Sequence, residues 1–176
     1  QERTLERARI LMVGAGGLGS PAAYYLAAAG IGFIRLVDDD LVDRSNLQRQ
    51  VLHTEARIGM PKVESAAISL SALNPRLRID AVQARVTAES VDALMADVDV
   101  VIDGADNFPT RYLLSDACVR HGKPMVYGAV HRFSGQASAM QLSVLAATAA
   151  AILLWLAVLL LLRLLSVAIA LLQFHG

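Results

Sequence analysis

An apolar run at residues 9 to 14, Arg-Ile-Leu-Met-Val-Gly, leads directly into the turn Gly14-Ala15-Gly16-Gly17-Leu18-Gly19, and a stretch of helix-forming residues from Leu18 to Ala29 follows. No other feature restricts the fold of this chain as tightly. A short run that is apolar at successive positions suits a strand covered on both faces, as in a parallel sheet. Gly14 permits the tight turn, Gly16 and Gly17 let backbone approach a ligand, and Gly19 lets a helix pack closely on the strand. Free N–H groups at the start of such a helix attract phosphate. Pro21 is tolerated near the helix start, where its missing N–H costs nothing. Gly30 and Gly32 end the helix, and Phe33 to Val37 reads as a second strand, which completes a βαβ unit.

The alternation continues. A helix is predicted from Pro61 to about Leu73, stopped at Asn74-Pro75 because proline disfavours helix in the residue before it. Strand is predicted for Arg78 to Val86, helix for Ala88 to Ala96, strand for Val98 to Asp103, helix for Pro109 to His121 with Gly122 just beyond, and strand for Met125 to Ala129. The pattern calls for an α/β fold: a doubly wound, mostly parallel Rossmann-like sheet with helices on both faces. Ligands then belong at the carboxyl ends of the strands.

Charge narrows the function. The chain has 176 residues, with 16 Lys and Arg balanced by 16 Asp and Glu, so it lacks the basic excess of a nucleic-acid binder. Cys118 is the single cysteine, which excludes an internal disulfide and any cysteine-rich zinc site within this chain. It reads as a small core residue of a buried helix. His53, His121, His131 and His175 have no ligand spacing and read as structural or surface residues.

Three clusters carry candidate chemistry. Asp38, at the end of the second strand, can accept hydrogen bonds from ribose hydroxyls, which suits NAD and ATP equally; Asp39 reads as a solvated turn residue. Ser45-Asn46-Leu47-Gln48-Arg49-Gln50 and Lys62 follow. Arg49 and Lys62 could neutralise a triphosphate attacked at its α-phosphorus, whereas hydride transfer needs few cations there. Taken singly, each would be read as an exposed surface cation. Asp106 and Asn107, after the strand ending at Asp103, are placed to hold Mg²⁺ and to hydrogen-bond a nucleotide; an Asx turn opening the helix at Pro109 can coexist with that role.

Four blocks in order, GAGGLGSPAAYYLAAAGIG, LVDDDLVDRSNLQRQVLHTEARIGMPKVESA, LNP and VIDGADNFPTRYLLSDACVRHGKPMVYGAVHRFSGQ, together resemble the MoeB/ThiF adenylyltransferases, bacterial relatives of ubiquitin-activating enzymes, over residues 5 to about 141. The resemblance implies that the C-terminal glycine carboxylate of a ubiquitin-like sulfur carrier ending in Gly-Gly attacks ATP, giving an acyl-adenylate and pyrophosphate, in molybdopterin or thiamine biosynthesis. By motif position Gly17 would contact the nucleotide, Asp38 the ribose, Ser45, Asn46, Leu47, Gln48, Arg49 and Lys62 the phosphates, and Asp106 with Asn107 the Mg²⁺ and nucleotide. Arg49, Lys62 and Asp106 would be the catalytic set, in a cytoplasmic homodimer. Two CxxC zinc pairs common in the family are absent from this sequence, as is the family's N-terminal helix, expected before Gln1. A chain opening on Gln1 reads as processed or as a fragment.

The charges also divide the chain. Arg163 is the only Lys, Arg, Asp or Glu after Gln141. Residues 1–141 therefore read as the nucleotide-binding adenylyltransferase domain and 142–176 as an apolar helical segment. Val144 to Leu162 is long enough for a membrane span, with Thr148 its one polar side chain, and contact with a bilayer would run through 144–172. A chimeric or frameshifted end and a buried helix are alternatives for the tail. For the whole chain, an inactive membrane-held nucleotide-binding remnant and an NAD-dependent oxidoreductase are the alternative functions.

Overall fold

The computed structural model describes residues 2–131 and 134–140. Within them lie helices α1 (Glu2–Arg7), α2 (Gly19–Ala28), α3 (Lys62–Leu73), α4 (Val91–Met95) and α5 (Phe108–His121). The strands are β1 (Arg9–Val13), β2 (Phe33–Val37), β3 (Arg78–Val82), β4 (Val100–Asp103), β5 (Met125–His131) and β6 (Ser134–Met140). They form one sheet in the order β3-β2-β1-β4-β5-β6. The first five are parallel, and β6 returns antiparallel to β5.

The continuous apolar character of β1 has the expected cause. Ile10 and Met12 join Ile34, Leu36, Leu26 of α2 and Leu70 of α3 in one core. Leu11 and Val13 face the other way, into a core with Met95 of α4 and Leu114 of α5. Helices thus cover both faces, and alternate side chains of one strand serve two separate cores.

From β1 the chain moves through β2 to β3, then crosses back to place β4 on the other side of β1. The crevice between the carboxyl ends of β1 and β4 is the switch point where such sheets receive ligands. The helix starting at α5 is capped by Asn107, whose side-chain oxygen accepts from Thr110 N at 3.0 Å, and it ends on Gly122 at φ 62°.

Several expectations need correction. β3 stops at Val82 instead of Val86, and α4 is limited to Val91–Met95. Two elements have no counterpart in the sequence reading. One is β6, whose sequence Ser-Gly-Gln-Ala-Ser-Ala-Met lacks the bulky alternation of a typical strand and is ordered by pairing with β5. The other is α1, which brings Glu6 O so close to Gly32 that a Cβ there would lie 1.8 Å away; Gly32 N also donates to Leu5 O at 3.1 Å. The helix α2 stops at Ala28 with Gly30 at φ 89°, so Gly32 serves as the contact point for α1 and not as a helix stop.

The apolar segment 142–176 lies outside the described residues. Among the described residues no helix is long and apolar enough to cross a membrane.

Candidate functional site

The glycine turn is built as its spacing predicts. Gly14 has φ 95°, and a Cβ on it would lie 2.7 Å from Gly104 O, at the turn after β4. A Cβ on Gly19 would lie 1.8 Å from Gly14 O, so the start of α2 sits against the end of β1 with no room for a side chain. Gly16 and Gly17 are half-buried and line the turn. The N–H groups of Gly16, Gly17 and Leu18 find no acceptor among the described residues, leaving a row of donors at the start of α2.

Asp38 closes the turn from the end of β2. Its Oδ2 accepts from Ala15 N at 2.7 Å and its Oδ1 from Asp40 N at 2.8 Å, which fixes the carboxylate and leaves further lone pairs for a ligand. Asp38, Asp39 and Asp40 also bring carboxylate oxygens within 4.8 Å of one another. Asp39 is exposed and pairs with Arg85, in keeping with a solvated turn residue. Asp40 has a more specific partner.

Lys62 is not the exposed cation that its residue type alone implies. Its side chain is 6% exposed, and Nζ donates to Asp40 Oδ2 at 2.7 Å, while its backbone N donates to Asp40 O at 2.9 Å. The first turn of α3 is thereby fastened to the loop that follows β2. Arg49, by contrast, is exposed. Its guanidinium is held by its own segment, donating to Asn46 Oδ1 at 2.5 Å and to Ser45 O at 3.4 Å. Asp43 organises that segment, accepting from both Ser45 N and Ser45 Oγ, and these bonds hold its carboxyl below the usual carboxylate range. Gln48 Nε2 donates to Ser45 O at 3.1 Å, and Leu47 is half-buried. The Arg49 stem lies against the glycine turn, since a Cβ on Gly17 would be 3.5 Å from Arg49 Cδ.

Asp106 is exposed beyond β4 and takes no ion pair or hydrogen bond among the described residues. Asn107 spends its side-chain oxygen on the α5 cap, which leaves its NH₂ to donate. The loop carrying both is set by a buried pair that the sequence reading missed. Asp103 is fully buried and accepts from Arg111 Nε at 2.7 Å, and Arg111 also donates to Ala105 O and Gly128 O.

Two residues named in the sequence, Gln50 at the end of the Ser45–Gln50 stretch and His53, read as structural or surface, prove to be buried against the glycine turn. Gln50 is buried, lies beside Gly16, and its Oε1 has no partner among the described residues. His53 is buried between Ala15 O at 3.1 Å and Ser65 Oγ at 3.0 Å. Both follow Arg49 closely in a segment that is largely exposed, and nothing in their residue types marks their burial. Cys118 is buried, and burial pushes its thiol up to about 11, as suits an unreactive core residue. His121 pairs with Asp92 at the surface.

The model for the family described as ThiF matches residues 1–151. Among curated proteins, SAMP-activating enzyme E1 of Haloferax volcanii is 53% identical over 132 residues, covering 75% of this chain and 49% of that protein. The sulfur carrier protein adenylyltransferase of Thermus thermophilus is 50% identical over 136 residues, covering 77% and 50%. Among solved structures, E. coli tRNA N6-threonylcarbamoyladenosine dehydratase, TcdA, in complex with ATP superposes with a TM-score of 0.70 at 35% identity, covering 73% of this chain and 54% of that one. The chain thus spans about half the length of these relatives.

Proposed function

The chain belongs to the ThiF family, and we propose that it is the nucleotide-binding part of an adenylyltransferase acting on the C-terminal glycine carboxylate of a ubiquitin-like sulfur carrier, with release of pyrophosphate. The reading rests chiefly on one arrangement: the Arg49 stem lies against Gly17 at the start of α2, beside a row of unpaired N–H groups, in the crevice where β1 and β4 diverge. Unpaired backbone donors and a neighbouring guanidinium fit a triphosphate. Gln50, whose Nε2 would lie 3.7 Å from a Cβ on Gly16 and whose buried Oε1 has no partner among the described residues, adds a polar side chain at the same turn. The names of the relatives support the same reading, since they include a SAMP-activating enzyme E1 and a sulfur carrier protein adenylyltransferase.

ATP supplies an electrophilic α-phosphorus with a good leaving group. The chain's own residues bind and orient it. Asp38, fixed by Ala15 N, accepts from the ribose hydroxyls, with Gly14, Gly16, Gly17 and Gly19 shaping the turn. Ser45, Asn46, Leu47 and Gln48 form the phosphate-side segment, and Arg49 and Lys62 stabilise negative charge as it builds. Asp106, an unpaired carboxylate, would hold Mg²⁺, with Asn107 donating to the nucleotide. No side-chain nucleophile is required, because the carrier's carboxylate attacks. In this reading the working unit is a homodimer.

The test is calorimetric titration with MgATP and with NAD, together with carrier-dependent ATP–pyrophosphate exchange. MgATP should be preferred, and Arg49→Ala or Lys62→Ala should weaken it by at least about tenfold. NAD binding as tightly as MgATP, indifferent to both substitutions, would overturn the reading. Sedimentation velocity tests the dimer.

A further inference from the structure

The buried ring of His53 takes no part in the chemistry just described, yet it touches the glycine turn. Ala15 O can only accept, so the proton of the ring sits on Nε2, which donates to it at 3.1 Å. Nδ1 is then an acceptor, and Ser65 Oγ on the first turn of α3 donates to it at 3.0 Å. Ser20 Oγ donates to the same Ala15 O at 2.7 Å. Ala15, Ser20, Ser65 and His53 are all buried.

A trans peptide points its C=O and the following N–H in opposite directions, and the described residues contain no cis peptide bond. With Ala15 O held inward by two donors, the N–H of Gly16 is turned outward, and it has no acceptor among the described residues. Ala15 N, on the preceding peptide, meanwhile fixes Asp38. We infer that His53 is a positioning residue: it locks the Ala15–Gly16 peptide so that Gly16 N–H faces the phosphates of the nucleotide, and it ties that peptide through Ser65 to the helix that carries Lys62. The inference rests on the ATP-binding reading above.

Substitutions can separate the two ends of the ring. In His53→Gln the amide nitrogen reaches about as far as Nε2 and keeps a donor for Ala15 O. In His53→Asn the shorter amide can still accept from Ser65 but leaves Ala15 O without its ring donor. Calorimetry on the full chain, with MgATP and with adenosine as the phosphate-free probe, should find MgATP weakened about tenfold in His53→Asn and adenosine changed less than about twofold. His53→Gln should restore MgATP binding to within about threefold of wild type. Equal MgATP binding by His53→Asn and wild type would overturn the inference, as would a parallel loss of MgATP and adenosine, the mark of a merely structural role. If His53→Asn does not fold, Ser20→Ala, which removes the other donor to Ala15 O, should give a smaller loss confined to MgATP; an equal loss of adenosine would overturn it. Failure of the wild type to bind MgATP would remove the functional reading itself and this inference with it, whereas wild-type binding with an indifferent His53→Asn removes the inference alone.

Discussion

Lys62 Nζ lies 2.7 Å from Asp40 Oδ2, with the lysine side chain 6% exposed and the aspartate 64% exposed. The pair is therefore a sheltered cation facing a solvated anion, and the two ends should respond differently to substitution. Asp40→Asn removes the charge partner from a buried ammonium and should cost about 1–3 kcal/mol of stability. It should also strengthen MgATP binding severalfold, because phosphate no longer competes with Asp40 for Lys62. Urea unfolding and calorimetry on the same variant check the two halves. Weaker MgATP binding in Asp40→Asn would show that Asp40 supports the nucleotide instead of competing with it.

The glycines differ sharply in what they tolerate. Gly19→Ala would force a Cβ to within 1.8 Å of Gly14 O and should cost more than about 3 kcal/mol, because backbone must move at the base of the crevice. Gly30 has φ 89° but nothing within 4 Å of its Cβ position, so Gly30→Ala should cost only about 1–2 kcal/mol, from backbone conformation alone. Thermal or urea unfolding of both variants gives the ranking. Equal losses would contradict the packing described here.

Stability should also depend on pH through His53. Burial, the largest influence, lowers its pKa below the ordinary 6.5; Lys62 and Arg57 act in the same direction, and Asp38 and the Ala15 carbonyl oppose it. Above about pH 6.5 the ring is neutral in both folded and unfolded chains, and its contribution is fully present. As pH falls below that value the unfolded chain takes up a proton first, so stability declines until the folded ring also titrates. Urea unfolding between pH 5 and pH 7 should show this loss in the wild type and a flatter profile in His53→Gln. A wild-type profile flat across that range would refute the assignment of a neutral buried ring.

Asp103, which ends β4, and Asp106, on the loop that follows, should separate structure from activity. Arg111→Ala leaves the fully buried Asp103 without its guanidinium and should cost about 3–5 kcal/mol. Asp106→Ala removes an exposed, unpaired carboxylate, so the unfolding midpoint should not move, while Mg²⁺-dependent pyrophosphate exchange should be lost. Exchange that persists in Asp106→Ala would assign the metal to other carboxylates, with the Asp38–Asp40 cluster the next to examine.

Much of this arrangement is visible in the linear sequence because it is local. The β1 run and the glycine turn are contiguous and follow from backbone requirements at a strand-to-helix junction, and Asp38 is legible because it stands at the end of the second strand of the same βαβ unit. What is hidden depends on partners far apart in the chain: Lys62 meets Asp40, and His53 meets Ala15, only once α3 has packed against the turn. A lysine and a histidine in isolation carry no sign of that burial. β6 escaped for a related reason, since its small and polar residues become a strand through their neighbour β5. The short α1 lacks the length for a strong periodic pattern and is recognisable chiefly from what Gly32 leaves room for.

The approach of Gly14 to Gly104 means that main chain meets main chain at the base of the crevice. A Cβ on Gly14 would lie 2.7 Å from Gly104 O, and one on Gly104 3.2 Å from Val13 O and Gly19 N, so a side chain on that floor must shift backbone before it can alter specificity. Any redesign of what the site accepts must act on its walls, through Asp38, Arg49, Lys62 and the loop of Asp106, while the floor remains a fixed foundation common to every such variant.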